Sequence, residues 1–85
     1  MKNQIGQYLR ANNGLIDVGI GLYVEAEIKR NKVEFRYHRK RAKSEILGHL
    51  FFENNNIDVT KTNGNHDRET CEKLIELAIK KIEQR

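Results

Sequence analysis

The sequence of 85 residues contains no proline, no tryptophan and a single cysteine, Cys71. One cysteine cannot form a disulfide within the chain, so we expect a fold without disulfides in a reducing compartment, the cytoplasm. No apolar run is long enough to span a bilayer, and residues 1–14 contain no apolar segment of the signal-peptide type. These absences exclude two classes of protein, a disulfide-stabilised secreted scaffold and a helical membrane protein.

Motifs for metal binding and catalysis are also scarce. None of the potential thiolate and imidazole ligands stands at a recognised zinc spacing; these residues are His38, His49, His66 and Cys71. Cys71 falls on the apolar face of a predicted helix, which favours a buried small side chain over a nucleophile. We therefore predict no metal site, no cofactor, no catalytic residue and no enzymatic activity.

The length of the chain and its apolar content limit the size of the fold. A chain of this length suffices for one hydrophobic core, and we predict a single domain over residues 1–85. Apolar residues make up only 38% of the sequence, but they recur at regular intervals. Regular recurrence indicates a folded domain rather than a disordered chain.

The longest regular pattern alternates apolar and polar residues from Ile16 to Ile28. Every even position is apolar, namely Ile16, Val18, Ile20, Leu22, Val24, Ala26 and Ile28. A period of two is typical of a strand with one face in the core and the other in water. Because thirteen residues is long for one strand, we predict a bend or bulge at Gly19–Gly21.

The two glycines of this segment could also belong to a phosphate-binding loop. Such a loop requires a helix directly after the glycines, so that free N–H groups converge on the anion. Here the alternation continues to Ile28 instead. We therefore interpret Gly19 and Gly21 as a bend in the strand. The alternative is a bare stripe beside Tyr23 that a helix or a partner's backbone can approach closely.

A second alternating segment, residues 33–38, predicts the partner strand of a hairpin. A turn at Asn31-Lys32 sets Glu27 opposite Arg36, whereas a turn one residue earlier sets Glu27 opposite Glu34. Like charges directly opposite each other destabilise a sheet, so we favour the turn at Asn31-Lys32. The turn asparagine also tolerates the positive φ of a tight hairpin turn.

The remaining elements follow from helical spacing and short alternations. We predict helices over residues 2–12 and after the N-cap residue Asp67. Residues 40–52 place apolar side chains on one helical face and are predicted as a helix, with a strand at 46–52 as the alternative. Residues 57–60 are predicted as a short strand. The predicted fold is a small α+β sandwich in the order helix, hairpin, helix, strand, helix, with helices packed on an antiparallel three-stranded sheet.

The net charge of +4 is concentrated in one octapeptide, residues 36–43, with the sequence RYHRKRAK. This basic run contains five Lys/Arg and no acidic residue, whereas the rest of the chain has 11 basic and 12 acidic residues. Concentrated positive charge is typical of a surface that contacts an anion.

We interpret the basic run as the functional segment of a small non-catalytic nucleic-acid-binding or accessory protein. The predicted phosphate contacts are Arg36, His38, Arg39, Lys40, Arg41 and Lys43. Two other interpretations stay open, protection of an edge strand and contact with a protein partner. The alternative function is a protein–protein interaction module, an oligomer or an inhibitor of a larger complex, that uses a sheet edge or the face of Gly19, Gly21 and Tyr23.

Overall fold

The structure, a computed structural model, describes residues 2–84. Met1 and Arg85, the two ends of the predicted domain, lie outside the described residues. The elements are α1 (Lys2–Ala11), β1 (Leu15–Gly19), β2 (Leu22–Lys29), β3 (Lys32–Tyr37), β4 (Glu45–Phe51), β5 (Asn56–Asp58) and α2 (Arg68–Glu83). The strands form one antiparallel sheet in the order of the sequence. The α+β class is confirmed, but the sheet has five strands where three were predicted.

Both helices pack on the same face of the sheet, where they share one hydrophobic core with the strands. Its members include Ile5, Leu9, Ile16, Val24, Val33, Phe35, Leu47, Leu50, Leu74, Ile75, Ala78 and Ile82. Helix α2 begins where predicted, because the Asp67 carboxylate accepts a hydrogen bond of 2.7 Å from the Thr70 N–H. The opposite face of the sheet, the outer face, carries charged side chains of the strands, and neither α1 nor α2 covers it.

The predicted continuous strand over residues 16–28 is wrong, because the chain reverses at Ile20-Gly21 and β1 pairs with β2. Ile16 lies opposite Val24, so even residues face even residues across the hairpin. The two-residue turn by itself pairs an odd residue, Gly19, with an even one, Leu22, and the β-bulge between Asp17 and Gly19 restores the pairing of Ile16 with Val24. Apolar residues therefore stay at even positions on both sides of the turn, although Ile20 itself is fully exposed. The φ angles are +55° at Ile20 and +73° at Gly21, the signs of a type I′ hairpin turn.

The predicted register of the second hairpin is also wrong. The turn lies at Arg30-Asn31, and Glu27 lies opposite Glu34. The Glu34 carboxylate contacts Lys29 of β2, Arg36 of its own strand and His49 of β4, while the Glu27 side chain is 70% exposed. The turn asparagine does not take the positive φ that the prediction assumed. Charge matching within the hairpin alone was misleading because β4 supplies part of the compensation.

The predicted helix over residues 40–52 is a loop, residues 38–44, followed by strand β4. The alternative strand at 46–52 is therefore close to the observed one. The register between β3 and β4 shifts once, so β4 carries an extra residue at a β-bulge. In a regular strand, two residues three positions apart lie on opposite faces. The extra residue at the bulge places Leu47 and Leu50 on the same face, and both reach the core. Their spacing consequently resembles one helical face.

Candidate nucleic-acid interface

The basic run spans the end of β3 and the loop 38–44. The His38 backbone N–H donates a hydrogen bond of 3.0 Å to the Tyr23 carbonyl, which fixes the start of the loop beside the start of β2. Because consecutive strands are antiparallel, this loop lies at the same end of the sheet as the Ile20-Gly21 turn. We call this part of the molecule, the turn 19–22 together with the loop 38–44, the tip end.

The first two predicted phosphate contacts, Arg36 and His38, are engaged by carboxylates. The Arg36 guanidinium contacts Glu34 at 2.5 Å and donates a second hydrogen bond of 2.7 Å to the same oxygen. His38 Nδ1 lies 2.6 Å from the Glu25 carboxylate. Both acidic partners sit on the outer face of the sheet. Arg36 and His38 are therefore part of a charge network within the fold and are poorly available to a phosphate.

Arg39 forms the base of the exposed loop. Its guanidinium donates a hydrogen bond of 3.2 Å to Glu45 Oε1 at the start of β4. The other carboxylate oxygen of Glu45 lies 3.0 Å from His66 Nδ1, although the angles do not make a hydrogen bond. Arg39 thus connects the loop to β4, and its side chain remains about half exposed.

Lys40, Arg41 and Lys43 make up the rest of the basic run. All three residues are exposed, and they follow one another along the loop with only Ala42 between them. Within the described part of the chain, no carboxylate lies within salt-bridge distance of their charged groups. Of the six predicted contacts, these three retain their full charge for an external anion.

The outer face beside the run has the opposite character. A shallow cleft of about 550 Å³ there is lined by the carboxylates of Glu25, Glu27 and Glu34 together with Arg36 and His38. Glu34 is only 7% exposed. Burial raises the pKa of its carboxyl, but the hydrogen bonds from Arg36 and His49 and the nearby positive charges outweigh that effect and lower the pKa. The cleft therefore holds an ionised carboxylate at neutral pH and does not favour phosphate.

The predicted partner-contact residues Gly19, Gly21 and Tyr23 lie at the hairpin tip rather than on the face of a long strand. A Cβ atom placed on either glycine would have no atom of the described chain within 4 Å, chain neighbours apart, so a side chain at either position would point into open space. Tyr23 is 39% exposed, and its ring stands edge-on to His38 at 6.4 Å between centroids. These three residues remain predictions for partner contact.

Sequence reasoning missed the apolar part of the tip end. Ile20 is fully exposed, and Leu77 of α2 lines a cleft of about 340 Å³ with it. Lys80 and Lys81 line the same cleft. The available signal was the Ile-Gly pair between two alternating segments, since a glycine at the second central position is typical of type I′ turns. The apolar alternation concealed that signal.

The remaining reactive side chains give no sign of catalysis. Cys71 is buried, and its pKa is raised by that burial and by the negative charges of Asp67 and Glu45. A thiol with a raised pKa is protonated at neutral pH and is a poor nucleophile. Residues 2–84 contain no group of three potential metal ligands in metal-binding proximity.

Neither of the two described helices is long and apolar enough to cross a membrane. Comparisons with protein-family models, with curated proteins and with solved structures find no match for this chain. The geometry and charge of the tip end are therefore the basis for a functional proposal.

Proposed function

We propose that this protein is a small non-catalytic nucleic-acid-binding protein that holds the phosphate backbone with Lys40, Arg41 and Lys43. The observation that carries the proposal is the contrast in pairing along one basic run. Arg36 and His38 are held by carboxylates of the fold, whereas the three cations of the loop are exposed and have no carboxylate partner among residues 2–84. Unpaired exposed cations are the groups that neutralise phosphates and release counterions.

The loop presents these cations from a defined place. Its first residue is bonded to β2 through the His38 N–H, and Arg39 is bonded to Glu45 of β4. A loop anchored in this way keeps its charges at one end of the sheet, where His38 at its start also lines the outer cleft with the three glutamates. The exposed cations Lys40, Arg41 and Lys43 are thus concentrated in one short segment.

Salt dependence gives the first quantitative expectation. Three phosphate contacts predict that log K falls with log salt with a slope of about −2.7, since each neutralised phosphate contributes about −0.9 on duplex DNA. The affinity is then expected to fall about 40-fold when salt rises from about 50 to about 200 mM. Fluorescence anisotropy with a labelled mixed-sequence duplex measures both the affinity and the slope.

The loop variant Lys40→Ala/Arg41→Ala/Lys43→Ala tests which cations bind. We expect it to lose most of the affinity at low salt, roughly uniformly across DNA sequences, because phosphate contacts carry no sequence information. Its melting temperature is expected to stay close to that of the unaltered protein, since these side chains make no ion pair within the described chain.

A matched control removes the same net charge elsewhere. Arg10, Arg30 and Lys73 are exposed residues of α1, of the β2–β3 turn and of α2, so the Arg10→Ala/Arg30→Ala/Lys73→Ala variant has the same charge as the loop variant. We expect the control to keep its affinity within a few-fold at moderate salt. Equal losses in the two variants, or no binding of the unaltered protein at low salt, would contradict the proposal.

The alternative function, a protein–protein interaction module, has one observation in its favour. Gly19, Gly21 and Tyr23 surround the fully exposed apolar side chain of Ile20. An oligomer built on this surface would have a dimeric mass in sedimentation experiments, with little dependence on salt. A monomeric mass together with salt-dependent nucleic-acid binding would favour the main proposal.

A further inference from the structure

The turn of the first hairpin combines two properties that rarely occur together. Ile20 is fully exposed, so its side chain contributes nothing to the core. Its φ of +55° also places a β-branched residue in the left-handed region, where such residues are uncommon because their side chains clash with the backbone. Backbone strain of this kind persists most often at functional positions.

Other exposed apolar side chains surround this turn. Among the described residues, the exposed large apolar side chains are Ile20, Leu22, Tyr23 and Leu77. The first three are consecutive or nearly so along the hairpin, and Leu77 shares the 340 Å³ cleft with Ile20. Exposed apolar side chains gathered at one place typically mark a binding surface.

Positive charges flank the apolar tip on two sides. Lys80 and Lys81 of α2 line the cleft beside Ile20, and the basic loop lies at the same end of the sheet. The acidic residue of the cleft, Asp17, accepts a hydrogen bond of 2.9 Å from the Gly19 N–H and so stabilises the turn. The combination is a protruding apolar side chain between two cationic segments.

We propose that Ile20 is a wedge that enters the minor groove of duplex DNA and partly separates two neighbouring base pairs. In this arrangement Lys80 and Lys81 contact phosphates on one side of the groove, and the loop cations Lys40, Arg41 and Lys43 contact phosphates on the other. The two added contacts steepen the expected salt slope from about −2.7 for the loop alone to about −4.5. Minor-groove proteins insert isoleucine, leucine and similar side chains between base steps in this way, and the duplex kinks as a result. The inference rests on the proposed nucleic-acid binding and adds the form of DNA and the mode of contact.

Two observations favour duplex DNA over other partners. A stable protein interface buries about 800 Å² on each partner, whereas the apolar surface here is limited to four partly separate side chains, of which only Ile20 is fully exposed. Single strands are bound by successive bases stacking on several aromatic rings, whereas this end offers one exposed ring, Tyr23, which already stands edge-on to His38. Charge on both sides of an apolar tip matches a groove bordered by two phosphate backbones.

The Ile20→Asn variant removes the apolar side chain of the wedge and is expected to leave the fold unchanged. Asparagine followed by Gly21 is the preferred pair of a type I′ turn, so the hairpin is expected to keep its shape. The melting temperature should rise by about 4 °C, since asparagine tolerates positive φ better than isoleucine does. The Ile20→Leu variant is the matched control that keeps an apolar side chain at the tip.

The measurement uses mixed-sequence duplexes that carry the fluorescent base 2-aminopurine at a pyrimidine–purine step, together with end-labelled duplexes for bending by energy transfer. We expect the unaltered protein and Ile20→Leu to raise the 2-aminopurine fluorescence and to shorten the end-to-end distance. Ile20→Asn is expected to lose both signals and about tenfold in affinity, while its salt slope stays unchanged.

The outcomes distinguish this inference from the function on which it rests. Salt-dependent binding without any fluorescence rise in the unaltered protein overturns the wedge and leaves the phosphate contacts in place. Equal fluorescence in the unaltered protein and in Ile20→Asn also overturns the wedge, and is the result expected if the apolar tip serves a protein partner. No DNA binding by the unaltered protein overturns both proposals.

Discussion

The centre of the sheet and the tip end both carry charged and apolar side chains, which are paired or buried at the centre and mostly exposed at the tip end. At the centre, Glu34 of β3 is 7% exposed and contacts Arg36 and His49. At the tip end, the charges of Lys40, Arg41 and Lys43 project into solvent from a loop. Apolar side chains differ in the same way, since those of β3 are buried in the core and Ile20 is fully exposed. At the centre these residues are paired or buried within the fold, whereas at the tip end they are exposed to solvent.

This difference shows that closeness in sequence is a poor guide to the availability of charge. Arg36 and Lys40 are four residues apart in one basic run, yet one is bonded to a carboxylate and the other is exposed. What separates them is the end of β3 at Tyr37. Arg36 lies two residues from Glu34 on the same face of β3, so its guanidinium reaches that carboxylate. Lys40 lies in the loop, where no carboxylate of the described chain is within salt-bridge distance of its charge.

The largest expected effect concerns glycines of the two regions. At Gly48 of β4 a Cβ atom would lie 2.5 Å from the Asp58 carbonyl oxygen and 2.9 Å from a methyl group of Val59, so we expect Gly48→Ala to lower the free energy of unfolding by about 3 kcal/mol. At Gly21 a Cβ atom would meet nothing within 4 Å, and Gly21→Ala should cost only the left-handed backbone penalty, about 1 kcal/mol. Urea unfolding of both variants measures the difference, and equal losses would remove this distinction between the two regions.

The second prediction concerns buried charge at the centre. Glu34→Ala leaves Arg36 and His49 without their shared carboxylate, and we expect a loss of about 2 kcal/mol in the free energy of unfolding. Its cross-strand neighbour Glu27 is the control, because its side chain is 70% exposed and Glu27→Ala should change the stability by less than about 0.5 kcal/mol. DNA affinity should not decrease in either variant. A decrease in the Glu34 variant would assign the centre a part in binding.

The smallest effect is the pH dependence that Glu34 contributes at the centre. The pKa of Glu34 in the folded protein lies below the ordinary value of 4.5, so the ionised carboxylate stabilises the fold. This contribution is fully present above pH 4.5 and is lost as the pH falls through the lower folded pKa. Unfolding free energies measured from neutral to acid pH should fall less steeply in Glu34→Gln than in the unaltered protein. The loop cations make no ion pair with Glu34, and a change in the acid limb of the loop variant would break the comparison.

The parts of the fold that a segment's own residue pattern determines were predictable from the sequence. The last helix and its cap at Asp67 follow from local spacing and local hydrogen bonding. The predicted core face of residues 16–28 was correct at Ile16, Val24 and Ala26, which are buried, but wrong at Ile20 and Leu22, which are exposed at the turn. These properties depend on side chains only a few residues apart.

The errors arose where pairing between segments decides the structure. The reversal at Ile20-Gly21 is combined with a bulge between Asp17 and Gly19 that keeps even residues opposite even residues, so the apolar spacing does not reveal it. The bulge at Leu47 makes β4 look helical, and the second hairpin places Glu27 opposite Glu34, whose contacts are Lys29, Arg36 and His49. None of these pairings has a local signature in the sequence.

One part of the candidate site could be predicted from the sequence, and the other part depends on how distant segments pair. The basic run is a property of composition and needs no structure to find it. Which cations of the run are paired with carboxylates and which are exposed depends on how the strands pair. Ile20 and Lys80 come to the same end of the sheet as the loop only because α2 packs beside β1.

The sequence by itself determined the α+β class, the two terminal helices, the face that each half of the first hairpin buries and the concentration of positive charge in residues 36–43. Only the tertiary structure decided where the chain reverses, which register each hairpin takes, that residues 45–51 form a strand and which cations face solvent. The physical reason is the range of the interactions. Side-chain periodicity and capping act over a few residues, whereas strand pairing and burial of charge depend on segments distant in sequence.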